Sequence, residues 1–196
     1  MATTYRINEI FYSVQGEGVH TGIPAVFVRF SGCNLRCPFC DTNHSTASEM
    51  TRDEIVAAVN RHKGTLVILT GGEPGLWVDA ELVEALKETG RRICIETNGT
   101  CHLPENIDFV TLSPKDAFCE KATPVLEKCE ELKVVFTGDN DPSRYDSIDA
   151  AYRVLQPCDT GDIKENRKIT EAAFDYCLAH PQWRLGLQMH KVLNVR

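Results

Sequence analysis

Basic charge is in short supply in this chain. Across 196 residues, 21 lysines and arginines stand against 28 aspartates and glutamates, a formal net charge of -7. That balance argues against a nucleic-acid-binding surface, which needs a cationic patch. Long apolar stretches are missing as well. None approaches the ~20 residues that span a bilayer, so no membrane span is expected. No secretory signal opens the sequence, and the nine cysteines are an odd number, so a disulfide framework is not expected. A reducing cytoplasm is the expected setting. Repeats, low-complexity segments and linkers are absent, and the length suits one compact domain over 1–196 with a substantial core. The hydrophobic share of 42% and charged share of 25% place the chain among ordinary soluble globular proteins.

What is present is concentrated in one place. Cys33, Cys37 and Cys40 stand in Ser31-Gly32-Cys33-Asn34-Leu35-Arg36-Cys37-Pro38-Phe39-Cys40-Asp41-Thr42. Three thiolates this close can wrap one compact metal centre. A four-iron cluster has four corners, so three cysteines leave one iron open to a substrate or cofactor, whereas an all-cysteine cluster only carries electrons. A fourth nearby cysteine is lacking; the next, Cys94, is far downstream. Structural zinc closes with four ligands, and His44 offers a fourth, so the motif alone leaves zinc open. Cys94, Cys101, Cys119, Cys129, Cys158 and Cys177 are scattered, and read as small buried hydrophobes or bystanders.

Short apolar segments alternate with amphipathic helical ones, the pattern of a parallel α/β sheet. Ala25–Phe30 reads as a strand feeding the cysteine loop. Thr51 and Glu54 form a capping box for a helix that runs to about His62 and stops at Gly64. Leu66–Leu69 and Ile93–Ile95 read as buried strands, with a helix from about Asp79 to Glu88 between them. Further strands are expected at Phe109–Leu112, Leu132–Phe136, Tyr152–Leu155 and Trp183–Leu187, and a last helix over roughly Thr170 to Leu178. Pro114 and Pro124 make the segment between Leu112 and Leu132 a poor helix. The expected architecture is therefore an α/β fold, an abbreviated open partial (β/α) barrel with fewer helices than strands.

Polar motifs follow these strands at their C-terminal ends, which share one face in parallel α/β folds. In Gly71-Gly72-Glu73-Pro74, two missing side chains permit close backbone approach to a ligand, and Glu73 adds an acceptor for an ammonium. Alone, it would be a tight turn. After a three-cysteine loop, this motif and the Cys-x3-Cys-x2-Cys spacing, with an aromatic before the last cysteine, resemble the cluster and cofactor motifs of the radical S-adenosylmethionine (SAM) enzymes. There the open iron chelates SAM, and an electron splits SAM into methionine and a 5′-deoxyadenosyl radical. Phe11-Tyr12-Ser13-Val14-Gln15-Gly16-Glu17-Gly18, Cys40-Asp41-Thr42-Asn43-His44 and the closing Leu187-Gln188-Met189-His190-Lys191-Val192-Leu193-Asn194-Val195-Arg196 segment narrow the likeness. Over essentially its whole length the chain is similar to the 7-carboxy-7-deazaguanine synthase family. Those enzymes convert 6-carboxy-5,6,7,8-tetrahydropterin to 7-carboxy-7-deazaguanine, with loss of ammonia and ring contraction.

The resemblance implies a 4Fe-4S cluster on Cys33, Cys37 and Cys40, bound SAM, and Mg²⁺ on the Thr42 hydroxyl. It implies SAM contacts from the Phe39 backbone, Gly72, Glu73, Ser113, Pro114, Lys115 and the stretch Gln156, Pro157, Cys158, Asp159. It implies pterin contacts from Val14, Gln15, Gly16, Glu17, Arg29 and Thr70, with the carboxylate of Arg196 closing the pocket and Glu96 and His190 as further contacts. A homodimer and a reductant such as flavodoxin or ferredoxin are also implied. The residues suit these roles. Gln15 and Glu17 can pair with the guanidine-like ring edge, and Arg29 can hold a carboxylate bidentately. Thr42 supplies an oxygen, as Mg²⁺ prefers. Each also has an ordinary reading: Arg29 in a surface ion pair, and Asp41-Thr42 in turn capping. Two other classes compete. A radical SAM activase acting on a partner protein would share the cysteines and Gly-Gly-Glu-Pro, but it gives Gln15, Glu17 and Arg29 no purpose. A zinc or iron–sulfur binding module would not need glycine-rich and Ser-Pro-Lys loops at successive strand ends.

Overall fold

The structure, a computed structural model, describes residues 3–40, 42 and 47–195. Its strands are β1 (Thr4–Val14), β2 (Pro24–Phe30), β3 (Ser48–Thr51), β4 (Leu66–Gly71), β5 (Arg92–Thr97), β6 (Phe109–Leu112), β7 (Lys128–Phe136), β8 (Asp149–Pro157) and β9 (Trp183–Leu185). Its α-helices are α1 (Arg52–Val59), α2 (Ala80–Lys87), α3 (Ile163–Ala179) and α4 (Met189–Leu193). The strands form one sheet in the order β3-β1-β2-β4-β5-β6-β7-β8-β9. From β2 to β9 every neighbouring pair is parallel, while β1 runs antiparallel to both β2 and β3. The fold is α/β, an open partial barrel of the expected kind, with nine strands and four α-helices among the described residues.

Alternation along the strands builds two faces. On the outer face, Val26, Val28, Phe30, Val67, Leu69, Ile93 and Ile95 meet Ile55 and Val59 of α1 and Leu82, Val83 and Leu86 of α2. Further along, Leu132, Val134, Phe136 and Leu155 pack on Ile169 and Ala173 of α3. Each fully buried aliphatic side chain contributes roughly 1.5–3 kcal/mol. The inner face carries Ala25, Phe27, Leu66, Ile68, Cys94 and Phe109. Continuing these inner-face positions by two residues toward the strand ends gives Arg29, Thr70 and Glu96. The same period that seals the barrel floor therefore presents polar groups at its mouth.

Local signals set the ends. Thr51 caps α1 by accepting from the Glu54 N–H, and Glu54 reaches back to the Thr51 N–H at 2.8 Å. Asp79 caps α2 through the Leu82 N–H at 2.8 Å. The segment 113–127 holds no α-helix, as its prolines require. Some bounds differ from expectation. β1 and β3 were not legible as strands. α3 begins at Ile163 rather than near Thr170, because Asp162 accepts from the Lys164 and Glu165 N–H groups. β9 stops at Leu185, and the residues after it turn into the short helix α4.

Candidate active site at the strand ends

The segments after β2, β4, β5, β6, β8 and β9 line a cavity of about 300 Å³ at the C-terminal ends of the parallel strands, and the loop after the antiparallel β1 joins them. The loop after β2 brings Cys33, Cys37, Phe39, Cys40 and Thr42 to its wall. This loop is pinned from three sides. The Ser31 N–H donates to Arg6 O at 2.8 Å, the Glu73 N–H to Gly32 O at 3.0 Å, and Asn98 Nδ2 to Asn34 Oδ1 at 3.1 Å. Phe39 meets Phe118 edge to face at 4.9 Å, and Cys119 Sγ lies 3.6 Å from Cys37 Sγ.

The loop after β4 has its own geometry. Gly71 has φ +106, where a side chain is strained. A Cβ on Gly72 would stand 2.0 Å from Gly32 O. The glycines therefore let this loop lie against the cysteine loop, and both still line the cavity. The Thr42 hydroxyl donates to Gly71 O at 3.3 Å. Glu73 turns inward: its carboxylate has no exposed surface and takes Thr97 Oγ1 at 2.6 Å, the Asn98 N–H at 2.7 Å and the Gly75 N–H at 2.8 Å. Burial pushes its carboxyl up, against those three bonds. Ser113 and Lys115 line the cavity, with Lys115 Nζ donating to Ser113 O and Oγ, each at 2.6 Å. Burial, aided by the Lys133 charge, pulls the Lys115 ammonium down to about 8. Gln156 and Pro157 end β8 and Cys158 and Asp159 follow it on the same rim, and Asp159 pairs with Lys191 at 2.7 Å. The Asp159 carboxyl is held well below the usual range by that bond and by two further donors.

The opposite wall is a polar network. Gln15 Nε2 donates to Glu96 Oε1 at 3.1 Å, and Thr70 Oγ1 to Glu96 Oε2 at 2.8 Å. Lys133 Nζ reaches Glu17 Oε2 at 2.7 Å and Glu96 Oε1 at 3.3 Å, while Gln188 Nε2 donates to Glu17 Oε1 at 2.8 Å. Arg29 stands opposite Glu9 in the β1–β2 register, with its Nε 3.1 Å from Glu9 Oε1, an ion pair rather than a hydrogen bond at that nitrogen. Its guanidinium also sits 5.6 Å over the Phe11 ring. Val14, Gly16 and His190 complete this side, and the Met189 N–H donates to Gly16 O at 2.9 Å.

Of the residues expected in a site, all but Glu73, Pro114 and Arg196 line this cavity. Glu73 braces it from behind. Arg196 lies outside the described residues, as does His44, the candidate fourth zinc ligand. Lys133 and Gln188 were missed by sequence reasoning. A lone lysine inside Leu132-Lys133-Val134-Val135-Phe136 was the available signal, since a buried strand tolerates a charge only when it is paired.

Comparison with known proteins agrees with this architecture. Residues 27–117 match the Radical SAM superfamily. A 7-carboxy-7-deazaguanine synthase of Bacteroides thetaiotaomicron is 50% identical over 97% of this chain and 98% of its own length. One of Burkholderia multivorans is 41% identical over 98% and 99%. The chain belongs to the 7-carboxy-7-deazaguanine synthase family. The crystal structure of QueE from Escherichia coli superposes with a TM-score of 0.73 at 28% identity, covering 95% of each chain.

As a member of the 7-carboxy-7-deazaguanine synthase family, the chain is an enzyme of the radical SAM type. The family implies a 4Fe-4S cluster and SAM, and the donors fit: three thiols within the eight residues from Cys33 to Cys40, all lining the same cavity. Among the described residues, no three His, Cys, Asp or Glu side chains are already drawn together as a metal cage. No helix among them is long and apolar enough to cross a membrane.

Proposed function

We propose that the chain converts 6-carboxy-5,6,7,8-tetrahydropterin to 7-carboxy-7-deazaguanine, releasing ammonia. One observation carries the reading: the cysteine loop and the Gln15, Glu17, Glu96 and Arg29 wall share a single cavity. Cys33, Cys37 and Cys40 would hold the cluster. SAM would lie along the Phe39 backbone, Gly72, Ser113, Lys115 and the rim from Gln156 to Asp159. When bound, cluster and SAM supply a 5′-deoxyadenosyl radical that abstracts hydrogen from the substrate. The protein's own share is orientation and exclusion of side reactions. Arg29 takes the substrate carboxylate, and Gln15, Glu17 and Glu96 accept from the guanidine-like edge. Thr70 and His190 fix the ring, and Thr42 offers its hydroxyl to Mg²⁺. Homodimerisation, a flavodoxin- or ferredoxin-like reductant and a cytoplasmic setting belong to the same proposal and rest on the family likeness. An activase reading would leave the polar wall without a purpose.

The test is an anaerobically reconstituted sample given the carboxypterin, SAM and dithionite, with Mg²⁺ titrated. We expect deazaguanine product, ammonia, and Mg²⁺ activation that Thr42→Val loses while keeping its cluster absorbance. SAM cleavage without consumption of the pterin would overturn the reading. Equal Mg²⁺ activation of both proteins would remove Thr42 from it.

A further inference from the structure

Lys133 puts a cation in the middle of the inner face of β7. It is only 7% exposed, yet none of the contacts proposed above requires it. Its ammonium bridges two carboxylates from separate elements, Glu17 on the loop after β1 and Glu96 near the end of β5, at 2.7 and 3.3 Å. Two residues earlier on the same face, Glu131 accepts the Val19 N–H at 2.6 Å. β7 therefore grips the loop of residues 15–23 twice.

We propose that Lys133 is a positioning residue that sets substrate selectivity, by keeping Glu17 ionised and aiming it together with Glu96 across the cavity. The site then takes a ring edge made of N–H donors and disfavours the same edge with oxygen in place of the amino group. This rests on the substrate reading given above.

The reasoning is electrostatic. The titratable and charged groups around this volume are Glu17 after β1, Arg29 from β2, Cys33, Cys37 and Cys40 after β2, Glu96 from β5, Lys115 after β6, Lys133 from β7 with Glu131 behind it, Cys158 and Asp159 after β8, and His190 and Lys191 of α4. Enclosed carboxylates near one another tend to share a proton, because burial and like charge both oppose ionisation. A protonated carboxyl donates, and would then welcome a ring carbonyl. Lys133 prevents this. Burial alone would raise the Glu17 carboxyl, but the lysine charge and hydrogen bond overcome it and hold the group down at about 2. In return Glu17, Glu96 and Glu131 lift the lysine well above its ordinary value despite burial. Each ionised carboxylate has about four lone-pair sites. Glu17 spends side-chain contacts on Lys133 and Gln188, and Glu96 on Gln15, Lys133 and Thr70. Capacity is left for a donor edge.

The test uses the reconstituted full chain as wild type, Lys133→Met and Lys133→Arg. Binding of the carboxytetrahydropterin and of its analogue with oxygen replacing the 2-amino group is measured from pH 5 to 8. Cluster absorbance and SAM binding are followed alongside. Wild type should prefer the amino compound with little pH dependence, because a carboxyl held near 2 stays ionised throughout this range. Lys133→Met should bind the pterin about tenfold more weakly at pH 7, the loss of one charge-assisted contact. Its binding should weaken further as pH falls through the now higher carboxyl value, and its preference over the oxo analogue should shrink. SAM binding and cluster absorbance should hold, and Lys133→Arg should recover part of the preference. Equal preference and an identical pH profile in Lys133→Met would overturn the proposal. If circular dichroism shows that Lys133→Met does not fold, Glu17→Gln decides: its neutral amide should lose the preference, and full retention overturns the proposal. Wild type that binds neither compound would sink the substrate reading and this inference together.

Discussion

Glu73 holds its position through three donors, and this makes its ionised form a structural part. Oε1 takes Thr97 Oγ1 and the Gly75 N–H, and Oε2 takes the Asn98 N–H. In Glu73→Gln one of those atoms becomes an NH₂ facing another donor. An unmade buried hydrogen bond costs about 1–3 kcal/mol, so the variant should melt several degrees lower. An unchanged melting temperature would show that the three bonds are not needed. The same residue shows what single positions reveal in sequence. Gly-Gly-Glu-Pro marked the correct loop, but the glycines' immediate partners are Phe30 at the end of β2 and Gly32 just after it, and the carboxylate's are Thr97 and Asn98. Those partners lie far off along the chain, and spacing within one motif carries no information about them. Arg29, Thr70 and Glu96 were assigned by resemblance, and the alternation along β2, β4 and β5 is the physical reason that they face the cavity.

Elements were readable where period and caps agreed. α2 begins after Asp79 and ends before Glu88 as its apolar spacing and cap require. β1 was hidden because its register shifts between Ile7 and Glu9. Tyr5 and Ile7 face the outer core, whereas Phe11 beyond the shift stacks on Phe27 inside, so no single alternation runs through the strand. The first half of α3, Ile163 to Lys168, is charged and exposed, and its only signal was the Asp162 cap. The capping box of α1 can be tested directly. Thr51→Ala removes the acceptor for the Glu54 N–H and should cost about 1 kcal/mol, within the usual range of 0.5–2. Because α1 packs on the outer face, SAM cleavage by the reconstituted variant should equal wild type. A fall in cleavage at temperatures where the variant is fully folded would mean that the helix start also shapes the cysteine loop.

At the scale of the whole molecule, a segment near each end of the chain meets the other in the wall of the cavity. The loop after β1 and the segment around α4 are joined by the Met189–Gly16 backbone bond and the Gln188–Glu17 contact, and α4 is tied to the β8 rim by Lys191 and Asp159. Sequence placed each end near the substrate by resemblance alone; the contact between them needed the fold. Its tightest point is Gly16, where an added Cβ would stand 2.3 Å from His190 Nδ1 and 2.9 Å from His190 Cβ. The second distance involves an atom fixed to the backbone, so turning the ring cannot relieve it. Gly16→Ala must therefore push α4 away from the loop or twist the loop itself. Either movement separates His190 from the Gln15 and Glu17 wall, while Lys115, Gly72 and the cysteine loop sit on other elements and stay in place. We expect carboxypterin affinity to fall about tenfold or more, equivalent to roughly 1.4 kcal/mol. SAM binding, cluster absorbance and far-ultraviolet circular dichroism should remain those of wild type. If the alanine variant binds the pterin as tightly as wild type, the contact between the chain ends is too soft to shape the pocket, and the polar wall must be held by β5 and β7 alone.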